Sequence, residues 1–129
     1  DPVSAYRNPE TTEVAGFIGE AVSFSGTVEA NGTSVATRFG SIELLRPQSP
    51  GPTTVIIRPE QFELVKTDDP HAVVSGEVLV TRYFGHDGTV DVRFEDGLVI
   101  TARLHSRLLP KVGSFVGVLV NSQVLSFPV

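Results

Sequence analysis

The side chains of this sequence best suited to chemistry gather in one stretch, Tyr83-Phe84-Gly85-His86-Asp87. An imidazole beside a carboxylate can hold a metal or move a proton near neutral pH. Metal sites commonly ask for three or four ligands. The remaining histidines, His71 and His105, lie far off in sequence with no ligand spacing. Gly85-His86-Asp87-Gly88 is also turn-forming composition, in which an aspartate bonds its own backbone. The turn is the favoured reading, with His86 and Asp87 kept as secondary metal candidates. Tyr83 and Phe84 could stack on a base or a ligand ring. Aromatic side chains at a strand end more often close the end of a barrel, so core packing is expected of them.

Arg58-Pro59-Glu60 is the second tract with two readings. It could supply an ion pair or anion contact at an interdomain or intersubunit surface. It could equally be a strand terminator whose arginine bonds nearby carbonyls, and that is the preferred reading because exposed ion pairs contribute only about 0–1 kcal/mol. Ser75, Thr81 and Lys111 could donate to an oxyanion but form no clustered motif.

Absences narrow the chemistry further. There is no cysteine, which removes disulfides, thiolate metal sites and a cysteine nucleophile. No Gly-x-Ser-x-Gly elbow is present. The only lysines, Lys66 and Lys111, do not follow a glycine-rich phosphate loop. The acid pairs Asp68-Asp69 and Glu95-Asp96 fall in expected loops. No catalytic residue is assigned, and no cofactor is expected on this chain itself.

The elements that position these residues read as β-strands. Val22, Phe24, Val28 and Ala30 alternate with polar residues up to Asn31-Gly32, a strong two-residue hairpin signal. That turn pairs Ala30 with Thr33, Val28 with Val35, Gly26 with Thr37 and Phe24 with Phe39, all on one parity. A strand follows around Ile42–Leu45, then an exposed proline-rich connection over 46–53, a short buried strand Val55–Ile57, and another over 61–65. Residues 66–71 are polar and mark an expected module boundary. Gly76–Phe84 reads as a long strand with Val78 and Val80 on one face. Val90, Val92 and Phe94 face Leu98, Ile100, Ala102 and Leu104 across a three-residue loop that needs a left-handed residue at Gly97. Pro110–Gly113 is a turn, with strands at 116–120 and 124–127. Only residues 5–19 carry helical spacing, with Asn8 as cap, Pro9 in the first turn and Gly19 as stop. Many short antiparallel strands indicate small barrels.

Composition agrees. A chain of 129 residues with 40% hydrophobic content can bury roughly two-thirds of its unfolded surface. The net charge is −5, with ten Lys+Arg against fifteen Asp+Glu. Nucleic-acid binders need the opposite balance. No apolar run approaches the roughly 20 residues of a membrane helix.

Four motifs in order, Tyr6-Arg7-Asn8-Pro9, Phe17-Ile18-Gly19-Glu20, Arg58-Pro59-Glu60 and Phe84-Gly85-His86-Asp87, resemble the C-terminal TOBE-type, oligonucleotide-binding-like (OB-like) β region of the ATP-hydrolysing subunits of bacterial ABC importers. The resemblance covers nearly the whole chain. It implies a mainly β fold of OB-like barrel modules with one N-terminal helix. Residues 1–20 would be the connecting helix from an ATPase domain, 21–70 a first β module and 71–129 a second, TOBE-like one. ATP and Mg would bind the missing N-terminal domain. The implied partners are a second copy, the chain's own ATPase domain and the transmembrane permease subunits, at the cytoplasmic face of the membrane. Arg58, Pro59, Glu60, Tyr83, Phe84, Gly85, His86 and Asp87 become motif or interface candidates. The Phe-Gly-His-Asp form looks most like the iron(III), phosphonate and polyamine branch, with iron(III) the favoured cargo. The alternatives are a small oxyanion- or metal-sensing β domain and, disfavoured by charge, an OB-like nucleic-acid-binding module.

Overall fold

The computed structural model describes residues 21–129, so the expected helix over 5–19 and the motifs within 1–20 lie outside the described residues. Its strands in chain order are β1 (Val22–Val28), β2 (Ser34–Thr37), β3 (Gly40–Glu43), β4 (Gly51–Ile57) and β5 (Phe62–Val65). They continue with β6 (Val74–Tyr83), β7 (Asp87–Arg93), β8 (Val99–His105), β9 (Phe115–Val120) and β10 (Leu125–Pro128). Short 3-10 turns stand at Pro59–Gln61 and Ser106–Leu108.

The described chain forms two units. One holds residues 21–58 with Ser122–Val129, the other Pro59–Asn121. This differs from the boundary expected at residues 66–71. The polar segment there is a loop inside the second unit, and the chain passes between units at Arg58/Pro59 and at Asn121/Ser122.

In the first unit the strand order is β10-β4-β1-β2-β3. A parallel bridge between Leu44 and Val124 joins the two ends of that order. Leu45 N–H donates to the Val124 carbonyl at 2.8 Å, and Val124 N–H to the Glu43 carbonyl at 3.0 Å. The two end strands of the order are therefore joined at one point, which shortens the edges open to other chains. Val28, Val35, Val55, Ile57 and Val124 fill its interior. The Phe24 and Phe39 rings meet edge to face at 5.1 Å, the arrangement that aromatic quadrupoles favour.

The second unit has the order β5-β9-β6-β7-β8, with β8 lying against β5 and the Pro59–Gln61 turn. Val78, Val90, Val92, Ala102 and Val118 are its fully enclosed residues. Each unit thus takes its fifth strand from the other half of the sequence: β5 leaves the N-terminal half and β10 returns to it. That exchange follows a repeat the sequence reading does not contain. Ser25-Gly26-Thr27-Val28 in β1 and Ser75-Gly76-Glu77-Val78 in β6 hold corresponding places. A Cβ on Gly26 would come within 2.8 Å of Val35 Cγ2, and one on Gly76 within 2.6 Å of the Arg93 carbonyl oxygen. Both glycines let a coiling strand lie close against its neighbours.

The first hairpin keeps the expected register, Val28 opposite Val35, but its ladder ends at Thr27–Ala36. The turn is longer than expected. Gly32 N–H bonds the Glu29 carbonyl at 2.9 Å, Glu29 N–H bonds the Ser34 carbonyl, and Gly32 has φ 73°. Asn31 Oδ1 accepts from the Thr33 and Ser34 amides, so its side chain organises a four-residue loop in place of two-residue turn geometry. The proline-rich connection also ends earlier than expected: Pro52 lies in β4 opposite Thr27, at the tip beyond the β10 pairing. A proline at a strand tip costs no ladder bond.

The hairpin joining β7 to β8 has the expected three-residue loop. Phe94 N–H donates to the Leu98 carbonyl, Gly97 N–H to the Phe94 carbonyl, and Gly97 has φ 93°.

Candidate functional site

The motif residues 83–87 form the tip where β6 turns into β7. Tyr83 pairs with Gly88 as the last rung, Phe84 N–H donates to the Asp87 carbonyl at 2.8 Å, and the chain reverses at Gly85-His86. Tyr83 is 73% and Phe84 59% exposed. This corrects the expectation that both pack in the core. A bulge between Val78 and Val80 inserts Leu79 into β6, and an inserted residue swaps the faces of all that follows. Val78 is enclosed while Val80 is turned outward, against the single face expected for the two.

Strand pairing brings His105 opposite Asp87, next to His86, so histidines distant in sequence do share this end. Asp87 and His105 are engaged otherwise, and His86 is bonded through its backbone. Arg103 Nη1 donates to Asp87 Oδ2 at 2.8 Å. The His86 carbonyl accepts from Ser106 N–H at 2.9 Å, and His105 Nδ1 accepts from Arg107 N–H at 3.3 Å. Among the described residues no group of three His, Asp or Glu side chains is arranged to hold a metal. His71 sits in the 66–73 loop beside Asp69, 3.2 Å away.

Arg58-Pro59-Glu60 lies where the chain leaves the first unit. Ile57 ends β4, Arg58 is half-buried, Pro59 is buried and opens the 3-10 turn, and Glu60 is exposed. A proline suits a first helical position because it lacks only an N–H that would go unbonded there. Ser75 and Thr81 stand six residues apart on one strand, hence roughly 20 Å, and Lys111 is in the turn before β9. These donors do not converge.

The sequence reading missed a set of charges laid across β6, β7 and β8. Arg82 binds Asp91 bidentately, Thr101 Oγ1 donates to the same carboxylate at 2.9 Å, and Arg93 pairs with Glu77 at 3.0 Å. The Arg82 bonds, with help from Thr101, outweigh desolvation and lower the Asp91 pKa; the same pairing raises that of Arg82. In the first unit, hydroxyl bonds from Ser34 and Ser41 lower the pKa of Glu29. The signal for the ladder was the outward parity of β7, which places Asp87, Asp91 and Arg93 on the side facing Arg103, Arg82 and Glu77.

A groove of about 400 Å³ opens where β6 parts from the end of β7, lined by Ser75, Glu77, Arg93, Glu95 and Phe115 among others. No helix among the described residues is long and apolar enough to cross a membrane.

Five-stranded units of this order, antiparallel except at the contact between their end strands, are OB-type domains. The TOBE domain model matches residues 55–127, and the chain belongs to the TOBE domain family. It is 31% identical over 98% of its length to the Fe(3+) ions import ATP-binding protein FbpC 2 of Rhodococcus jostii (strain RHA1). It is 27% identical over 95% of its length to the sn-glycerol-3-phosphate import ATP-binding protein UgpC 3 of Agrobacterium fabrum (strain C58). The chain spans 36% and 35% of these relatives. In fold it is similar to the cytoplasmic molybdate-binding protein ModG in its molybdate-bound crystal form, with TM-score 0.58 and 13% identity over 83% of this chain and 95% of that one.

Proposed function

We propose that this chain is the C-terminal accessory region of the ATP-hydrolysing subunit of a bacterial ABC importer. There it holds two such subunits together and takes part in regulating import. The observation that carries the reading is the relative FbpC 2, matched across 98% of this chain while the chain accounts for only 36% of it. That proportion fits an accessory part joined to a separate ATPase domain, which would bind ATP and Mg. The motif order from Tyr6 to Asp87 supports the same placement, and iron(III) is the favoured cargo. The parent subunit would lie at the inner face of the cell membrane beneath its permease partners. No catalytic step falls to this region, and nucleic acid is not among its partners.

The exposed Tyr83 and Phe84, at the tip of a hairpin held by the Asp87–Arg103 pair, supply an apolar contact for a second copy. Sedimentation across a wide concentration range tests the pairing. A dimer is expected, and a pure monomer at high concentration overturns it.

A second reading, oxyanion sensing, draws on the fold shared with ModG. The scattered Ser75, Thr81 and Lys111 and the acidic groove argue against it. A thermal shift with molybdate, tungstate or sulfate, absent with iron(III), would replace the first reading.

A further inference from the structure

The geometry points to a recognition site for a cationic side chain, arginine by preference, in the groove between β6 and the end of β7. The groove exists because the β6–β7 ladder ends at Glu77–Arg93 while β6 continues alongside β9. Glu77 faces Arg93 on one side and Phe115 on the other, so an ion pair and an aromatic ring stand in one row. Phe115 is 64% exposed, an unusual position for a phenylalanine whose strand neighbours Val116 and Val118 are buried. Phe115 forms part of the groove wall together with Glu95 and Ser75.

The charge balance selects the ligand. Arg93 Nη2 is bonded to Glu77 Oε1 at 3.0 Å, so those two cancel. Glu95 is left as the net charge of the groove, inside a chain that already carries −5. A ring face and an uncompensated carboxylate on one concave surface recognise a cation, through the ring quadrupole and the ion pair together. A guanidinium fits better than an ammonium, because it is planar enough to lie on the Phe115 ring while its edge bonds a carboxylate through two nitrogens. A neutral or anionic ligand gains neither contact.

The contacts are exposed and few, so a single free cation would bind at millimolar strength. Such a site becomes effective when a partner protein presents the side chain along with other contacts, since tethering raises the effective concentration. The occupant is therefore an arginine on a partner surface. This inference stands on the groove alone and does not depend on the importer reading.

The test uses the whole chain, labelled with nitrogen-15, and N-acetyl-arginine amide titrated into the tens of millimolar. The expected result is a saturable shift of the Ser75, Glu95 and Phe115 amides that weakens with added salt. N-acetyl-lysine amide should bind more weakly, and the uncharged isostere N-acetyl-citrulline amide should cause no saturable shift. Glu95→Gln and Phe115→Leu should each weaken arginine binding by about fivefold, with Phe115→Tyr retaining it. Both positions are exposed, so these variants keep the fold, which their unchanged spectra elsewhere would verify. Equal response to citrulline, indifference to Glu95→Gln, or no saturable shift overturns the proposal. Tighter binding of putrescine than of the arginine amide overturns it in favour of a free polyamine as occupant.

Discussion

Arg82 holds Asp91 across neighbouring strands by two parallel bonds, Nη1 to Oδ1 at 3.0 Å and Nη2 to Oδ2 at 2.9 Å. Thr101 from the next strand adds a third bond to the same carboxylate, and Arg82 also reaches Thr89 Oγ1 at 3.2 Å. One aspartate of β7 thereby ties three strands of the second unit together. Its side chain is only 18% exposed while that of Arg82 is 44% exposed.

The Asp91 carboxyl titrates below its ordinary value, chiefly because of Arg82. A depressed carboxylate stabilises the fold fully above the unfolded pKa, about 3.9 for aspartate. That stabilisation is lost as pH falls from there through the lower folded value. Asp91→Asn should cost about 1 kcal/mol at pH 7, a figure discounted for solvent screening at a partly exposed pair. The difference from the parent chain should vanish in strong acid. Urea denaturation at several pH values measures both.

Phe24 and Phe39 are 8% and 3% exposed and meet edge to face. Phe39→Ala should destabilise the first unit by about 3 kcal/mol, since it deletes a buried ring and leaves a cavity. Phe39→Leu should cost less. Thermal or denaturant unfolding followed by near-ultraviolet signals would register the loss.

This ring pair was legible in the sequence because hairpin register follows from parity once one turn is placed. The strands themselves and the Gly97 loop were legible for the same reason: alternation and turn chemistry are local. What was not legible depends on long-range closure. No local signal says that Phe62 joins the sheet of Val118 and Val120, or that Leu125 pairs with Ile56. The bulge at Leu79 was equally hidden, because one inserted residue in a run of apolar ones leaves the composition unchanged. It set Val80 outward, whereas Tyr83 and Phe84 are exposed because they sit at the hairpin tip, where the general burial preference of aromatics does not apply.

The two matched glycines differ in tolerance. At Gly76 an added Cβ would press on a backbone oxygen, Arg93 O, at 2.6 Å, whereas at Gly26 the nearest atoms are valine methyls at 2.8 and 3.0 Å. Gly76→Ala should therefore cost about 2–3 kcal/mol and Gly26→Ala less, as overpacking costs scale with how far neighbours can yield. Equilibrium unfolding of the two variants side by side checks the order.

The exposed aromatic tip offers a separable test of the proposed pairing. Tyr83→Ser with Phe84→Ser removes apolar surface that the fold does not bury, so the melting temperature should stay within about 2 °C. The sedimentation coefficient should fall toward the monomer value. A dimer that persists in the double variant would move the contact elsewhere on the chain.

The last eight residues, Ser122–Val129, carry β10 into a sheet whose other strands were all made before residue 58. On a ribosome, chains emerge N-terminus first, and domains usually fold in that order. Here the order inverts. The second unit owns all of its strands once Asn121 is out, while the first must wait with its seam open until β10 has emerged. Loss of β10 would spare the younger unit and strand the older one, leaving β4 in search of a substitute partner.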